Sequence, residues 1–89
     1  IAEAVVGERL AACVNIVPGL TSIDRWENQM QRDTEFLLLI KTSPAVYPRL
    51  EARIRELHPY QVPEIIALPI QTGSAAYLDW ITDCTGASE

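Results

Sequence analysis

Histidine occurs once in this chain, at position 58, and cysteine only twice, at the widely separated positions 13 and 84. Such scarcity rules out CxxC pairs and zinc-ribbon spacing, and it points to free thiols in a reducing compartment, the cytoplasm. Cationic residues are also few: 7 Lys and Arg stand against 12 Asp and Glu, a formal charge of −5. That field repels phosphate backbones, and no stretch gathers basic residues, so neither nucleic acid nor an anionic membrane is expected as a partner. No apolar run approaches the roughly 20 residues of a membrane span, and no basic segment leads into an apolar one with a small-residue cleavage site. The four glycines, at 7, 19, 73 and 86, are scattered and form no phosphate-cradling loop. No nucleophile stands beside a base and no carboxylate pair suggests a cleft, so no enzyme is expected. An acylphosphatase-like activity would want an arginine on a phosphate-binding loop, and no loop supplies one convincingly.

What the chain does have is apolar content, 48% over 89 residues, enough for one domain spanning 1–89 and one core. Ile1, Ala4 and Val5 share a helical face, predicting a short helix that ends near Leu10. Residues 13–17 and 20–26 read as one strand bent at Pro18-Gly19, since proline and glycine interrupt a ladder. Polar residues 27–33 read as a turn, and 34–42 as a returning strand. Ser43-Pro44 is a helix-start signal ahead of Val46, Leu50, Ile54 and Leu57 at helical spacing. His58-Pro59 ends that helix, because proline disfavours helical geometry at the preceding residue. Residues 65–70 read as a short strand, and Ser74 as the cap of a last helix carrying Tyr77, Leu78 and Ile81.

With one strand ahead of Ile1, that order becomes an α+β, ferredoxin-like split βαβ sandwich with an added C-terminal helix; the first strand is absent from this chain. Such a fold covers one sheet face with helices and leaves the other to water. Yet Phe36, Leu38 and Ile40 alternate with Leu37 and Leu39, so both faces are apolar. Leaving large side chains exposed forfeits roughly 1.5 to 3 kcal/mol each, so self-association is expected unless the third helix wraps onto the second face.

Several motifs stand in one order along the chain: Glu8-Arg9-Leu10-Ala11-Ala12-Cys13-Val14-Asn15, Thr21-Ser22 with Trp26, Ile40-Lys41-Thr42, the run from His58-Pro59-Tyr60 through Pro69-Ile70, and Tyr77-Leu78-Asp79-Trp80-Ile81. In these the sequence resembles the CutA divalent-cation-tolerance family over essentially its whole length. The resemblance implies a ferredoxin-like homotrimer similar in architecture to PII-type signalling proteins, with a link to copper and other divalent cations. Three departures stand out. The strand in which some members place a metal-binding cysteine would precede Ile1; Asp24 and Asn28 flank Trp26 where many members have an aromatic residue and a glycine; and Leu57 stands where some metal-binding members have histidine.

His58 is the natural transition-metal candidate, with Cys13 as a soft ligand and Glu64 as a nearby carboxylate. A tight copper or zinc site takes about three or four protein ligands, so one chain supplies too few unless a threefold assembly brings copies together. The plainer reading has His58 finishing a helix and Cys13 buried as a small hydrophobe. Trp26, Lys41, Tyr60, Tyr77 and Trp80 are candidates for a pocket between subunits, although interface aromatics commonly serve as packing anchors. The expected function is a copper-binding or divalent-cation-tolerance homotrimer that needs no resident cofactor, with a PII-like small-ligand module and a protein-anchoring scaffold as alternatives.

Overall fold

The computed structural model describes residues 1–59 and 61–86. Helix α1 (Ala2–Gly7) leads into a hairpin of β1 (Cys13–Trp26) and β2 (Gln29–Lys41), followed by α2 (Tyr47–Leu57) and α3 (Ala75–Cys84). The class is α+β, as expected, with a two-stranded antiparallel sheet among the described residues.

Helix α1 stops a turn earlier than its apolar face suggests. Arg9 takes φ 63°, and the N–H groups of Leu10 and Ala11 both donate to the Val5 carbonyl, folding the chain back toward the sheet. Val5 is thereby fully buried.

The hairpin departs from expectation at its tip and agrees at its bend. Register runs Val17 to Leu37 and then Leu20 to Glu35, so Pro18 and Gly19 together oppose Phe36 in a bulge. Gly19 takes φ +77°, a conformation that glycine adopts without steric cost. The turn is only Glu27-Asn28, both at positive φ, and the ladder begins at once with Trp26 opposite Gln29. Residues 29–33, expected as turn, are strand: pairing with the other arm outweighs their weak β propensity.

Helix α2 begins at Tyr47, after a turn in which the Ser43 carbonyl accepts from Val46 and Tyr47 N–H at 3.1 Å each. Starting there puts Pro48 within the first two helical positions, where its missing N–H costs nothing. Its stripe is buried as the spacing predicts: Val46, Leu50 and Ile54 join Val5, Leu10 and Ala11 in the core, with Val14, Ile40, Tyr47 and Ile65 packed against it. Ser74 caps α3 by accepting the Tyr77 N–H at 3.1 Å.

Residues 61–70 join no ladder among the described residues, although 65–70 has the composition of a strand. A strand is completed by a partner, and no described segment pairs with it. Ile65 packs against the core, whereas Ile66 and Leu68 stay out, 71% and 82% exposed.

Candidate functional site

The sheet has two unlike faces. Val14 and Ile40, paired in register, pack against the core below α2, which makes theirs the helical face. Neighbouring side chains on a strand alternate, so Cys13, Asn15, Val17, Leu37, Leu39 and Lys41 occupy the open face. There Leu37 and Leu39 remain 41% and 47% exposed, so α3 does not cover it. The Lys41 ammonium donates to Asn15 Oδ1 and, at 3.5 Å, to the Leu39 carbonyl.

The metal candidates are spread over this frame. Cys13 carries a free, half-buried thiol at the base of the open face, opposite Lys41 in register. His58 is half-buried at the end of α2, its N–H donating to the Ile54 carbonyl at 2.8 Å. Because α2 packs on the helical face, the sheet stands between Cys13 and the helix that His58 ends. Glu64 is exposed in the segment 61–70. Among the described residues, no three His, Cys, Asp or Glu side chains come together in a group that could hold a metal ion.

The pocket candidates divide in the same way. Trp26 closes the tip of the hairpin and Lys41 its base, separated by 12 residues along β2, or about 40 Å at roughly 3.3 Å per residue. A pocket using both takes them from different copies. Tyr77 and Trp80, one turn apart on α3, bring their rings to 5.5 Å at a tilt of 34°. Tyr60 lies outside the described residues.

Sequence reasoning missed an open crevice of about 630 Å³ between the base of β2, residues 67–70 and α3. Its walls are Ile40, Tyr47, Leu68, Ile70, Leu78 and Ile81 with the hydroxyl-bearing Thr42, Ser43 and Thr82. Among the described residues its lining has no carboxylate, imidazole or thiol, which makes it a site for apolar matter. The signal was present in the unbroken apolar run 65–70, which supplies Leu68 and Ile70 to one wall of the crevice.

Residues 1–84 match the family model described as CutA1 divalent ion tolerance protein. The chain belongs to that family. It is 59% identical over 86 residues to the divalent-cation tolerance protein CutA of Thermus thermophilus, covering 97% of this chain and 84% of that one. It is 47% identical to mouse protein CutA over 96% of its own length but spans only 48% of the mouse protein. The solved Thermus thermophilus structure superposes with a TM-score of 0.93 at 59% identity, covering 96% of this chain and 82% of that one. A Nostoc structure described as a PII-like protein CutA in apo form gives 0.90 at 33% identity, covering 96% and 83%. An Archaeoglobus fulgidus structure described as a periplasmic divalent cation tolerance protein gives 0.89 at 35%, covering 93% and 80%. Among the described residues no helix is long and apolar enough to cross a membrane.

Proposed function

We propose that this CutA1 family member is a non-enzymatic homotrimer that binds a divalent cation, copper first, at sites assembled between copies. Membership of a family described by divalent ion tolerance carries the reading. The apolar open face supports self-association, because Val17, Leu20, Leu37 and Leu39 are each at least 39% exposed on a single chain. The dispersal of His58, Cys13 and Glu64 supports a site drawn from several copies rather than one, since tight transition-metal binding takes about three or four ligands. A cytoplasmic location accords with two free thiols in a small chain, although the archaeal relative is described as periplasmic.

Copper titration of the wild type, His58→Ala and Cys13→Ser by calorimetry, with mass followed in parallel, tests the metal reading. It predicts stoichiometric binding that weakens in His58→Ala. Unchanged affinity in both variants removes these residues from the site, and no copper binding in the wild type removes the metal.

The PII-like description of the Nostoc relative favours a second reading, a small ligand bound between copies near Trp26, Lys41, Tyr77 and Trp80. A small molecule that raises the Tm of wild type but not of Lys41→Ala supports it. Binding of neither metal nor small molecule leaves the anchoring scaffold.

A further inference from the structure

The foot of the open face carries the chain's single lysine. In register Cys13 faces Lys41, Asn15 faces Leu39 and Val17 faces Leu37, so the face rises from a polar foot to an apolar slope with no carboxylate among these residues. Lys41 is half-buried there. Among the described residues its ammonium donates to neutral acceptors alone, Asn15 Oδ1 and the Leu39 carbonyl. Arg53 and Arg55, by contrast, each hold a glutamate.

The lysine also decides which end of the Asn15 carboxamide remains available. An ammonium has donors and no acceptor, so it takes Oδ1 and leaves the amide N–H2 group beside it as a second donor. Among the described residues no acceptor meets that group, and Asn15 is exposed. Two adjacent donors, one of them charged, match the two oxygens of a carboxylate. Beside them the exposed side chains of Val17, Leu37 and Leu39 offer a hydrocarbon surface. Covering the face strengthens the demand for an anion. A copy laid over the apolar rows takes water from the ammonium, and a buried cation with only neutral partners is destabilising until a counter-charge joins it.

We infer that Lys41 and Asn15 bind the carboxylate of a small organic monoanion whose apolar body lies against Leu37 and Leu39. The ammonium donates to one carboxylate oxygen and Asn15 Nδ2 to the other, while Oδ1 keeps its bond from Lys41. The inference rests on the small-ligand reading proposed above and names the class of ligand and the two donors that recognise it. Phosphate is the poorer match: it brings more charge and more acceptor oxygens than one cation and one amide can meet, and the net charge of −5 opposes it further. A carboxylate side chain from a second copy satisfies the same two donors, and in that case a free carboxylate finds no place.

Isobutyrate serves as the probe, with isobutyramide as its neutral isostere and inorganic phosphate as a second anion, all at matched ionic strength. Binding is read as the rise in Tm over each protein's own ligand-free value and, in the wild type, as a saturable NMR shift of the Asn15 side-chain amide; light scattering reports the mass. Isobutyrate is expected to produce both signals, and the amide and phosphate neither. Lys41→Met, which keeps the stem and removes the charge, is expected to weaken binding about tenfold or more. Asn15→Asp keeps an acceptor for Lys41 but sets a repelling carboxylate where the second donor stood, so the isobutyrate shift is expected to vanish. Equal signals from the acid and the amide, or an undiminished rise in Asn15→Asp, overturn the inference. An oligomeric wild type that isobutyrate leaves unchanged overturns it too; a different class of small molecule that then raises the Tm leaves the small-ligand reading standing without the carboxylate. Isobutyrate binding through Lys41 and Asn15 in a monomeric wild type keeps this site and overturns its place between copies.

Discussion

Arg53 holds both carboxylate oxygens of Glu8: its Nε lies 2.9 Å from Oε1 and its Nη2 3.0 Å from Oε2, while Nη1 reaches Glu56 at 3.0 Å. This fork ties the end of α1 to the middle of α2 over the buried Val5 and Ile54. The hydrogen bond from Arg53 holds the Glu8 carboxyl below its ordinary value of 4.5, against a smaller opposing effect of desolvation.

A depressed folded-state pKa stabilises where the carboxylate is ionised in both states, so this contribution is complete above the ordinary value and fades as pH falls through the folded one. Glu8→Gln is therefore expected to lower the Tm at pH 7 and to have progressively less effect as pH falls below about 4.5. Because the pair is exposed, the difference shrinks in high salt. Melting curves of wild type and variant from pH 3 to 7, at low and high salt, check both trends; a pH-independent difference contradicts the assignment.

The small core makes each of its side chains costly to truncate. Leu50 is 3% exposed in the middle of the cluster. Leu50→Ala is expected to cost about 2 to 5 kcal/mol, read from the shift in the urea midpoint at unchanged slope.

The hairpin tip leaves room for improvement. Glu27 and Asn28 take φ 51° and 66°, a two-residue turn in which Asn-Gly is the favoured pair. Replacing them together, Glu27→Asn with Asn28→Gly, is expected to stabilise by about 1 kcal/mol, because left-handed geometry costs a side chain such as glutamate about that much. Chemical denaturation reads the gain, and a loss of stability contradicts the turn geometry.

The cap of α3 supports the Tyr77 and Trp80 pair. Ser74→Ala removes the acceptor of the Tyr77 N–H and is expected to cost about 0.5 to 2 kcal/mol, whereas Ser74→Asp preserves it. Thermal unfolding of the two variants separates capping from any effect of the residue's size.

Features carried by local chemistry were legible in the sequence. Pro18-Gly19 announces the bulge because one residue lacks a donor and the other accepts positive φ; Ser74 announces its helix; and Val46, Leu50 and Ile54 declare a buried stripe at helical spacing. Features that depend on distant partners were not. Residues 29–33 look like a turn until the opposite arm is known to run alongside them, and residues 65–70 look like a strand until no ladder is found for them. The metal candidates could be named but not brought together, because nothing local says that Cys13 lies on the open face while His58 ends a helix on the other.

The central claim is that the open apolar face is covered by other copies of the chain. Static light scattering of the purified protein, with and without copper, tests it most directly. A mass three times the 9.9 kDa of one chain in both states is predicted, with copper filling sites in an assembly already formed. A single-chain mass over the micromolar range, with Leu37 and Leu39 still exposed, contradicts it.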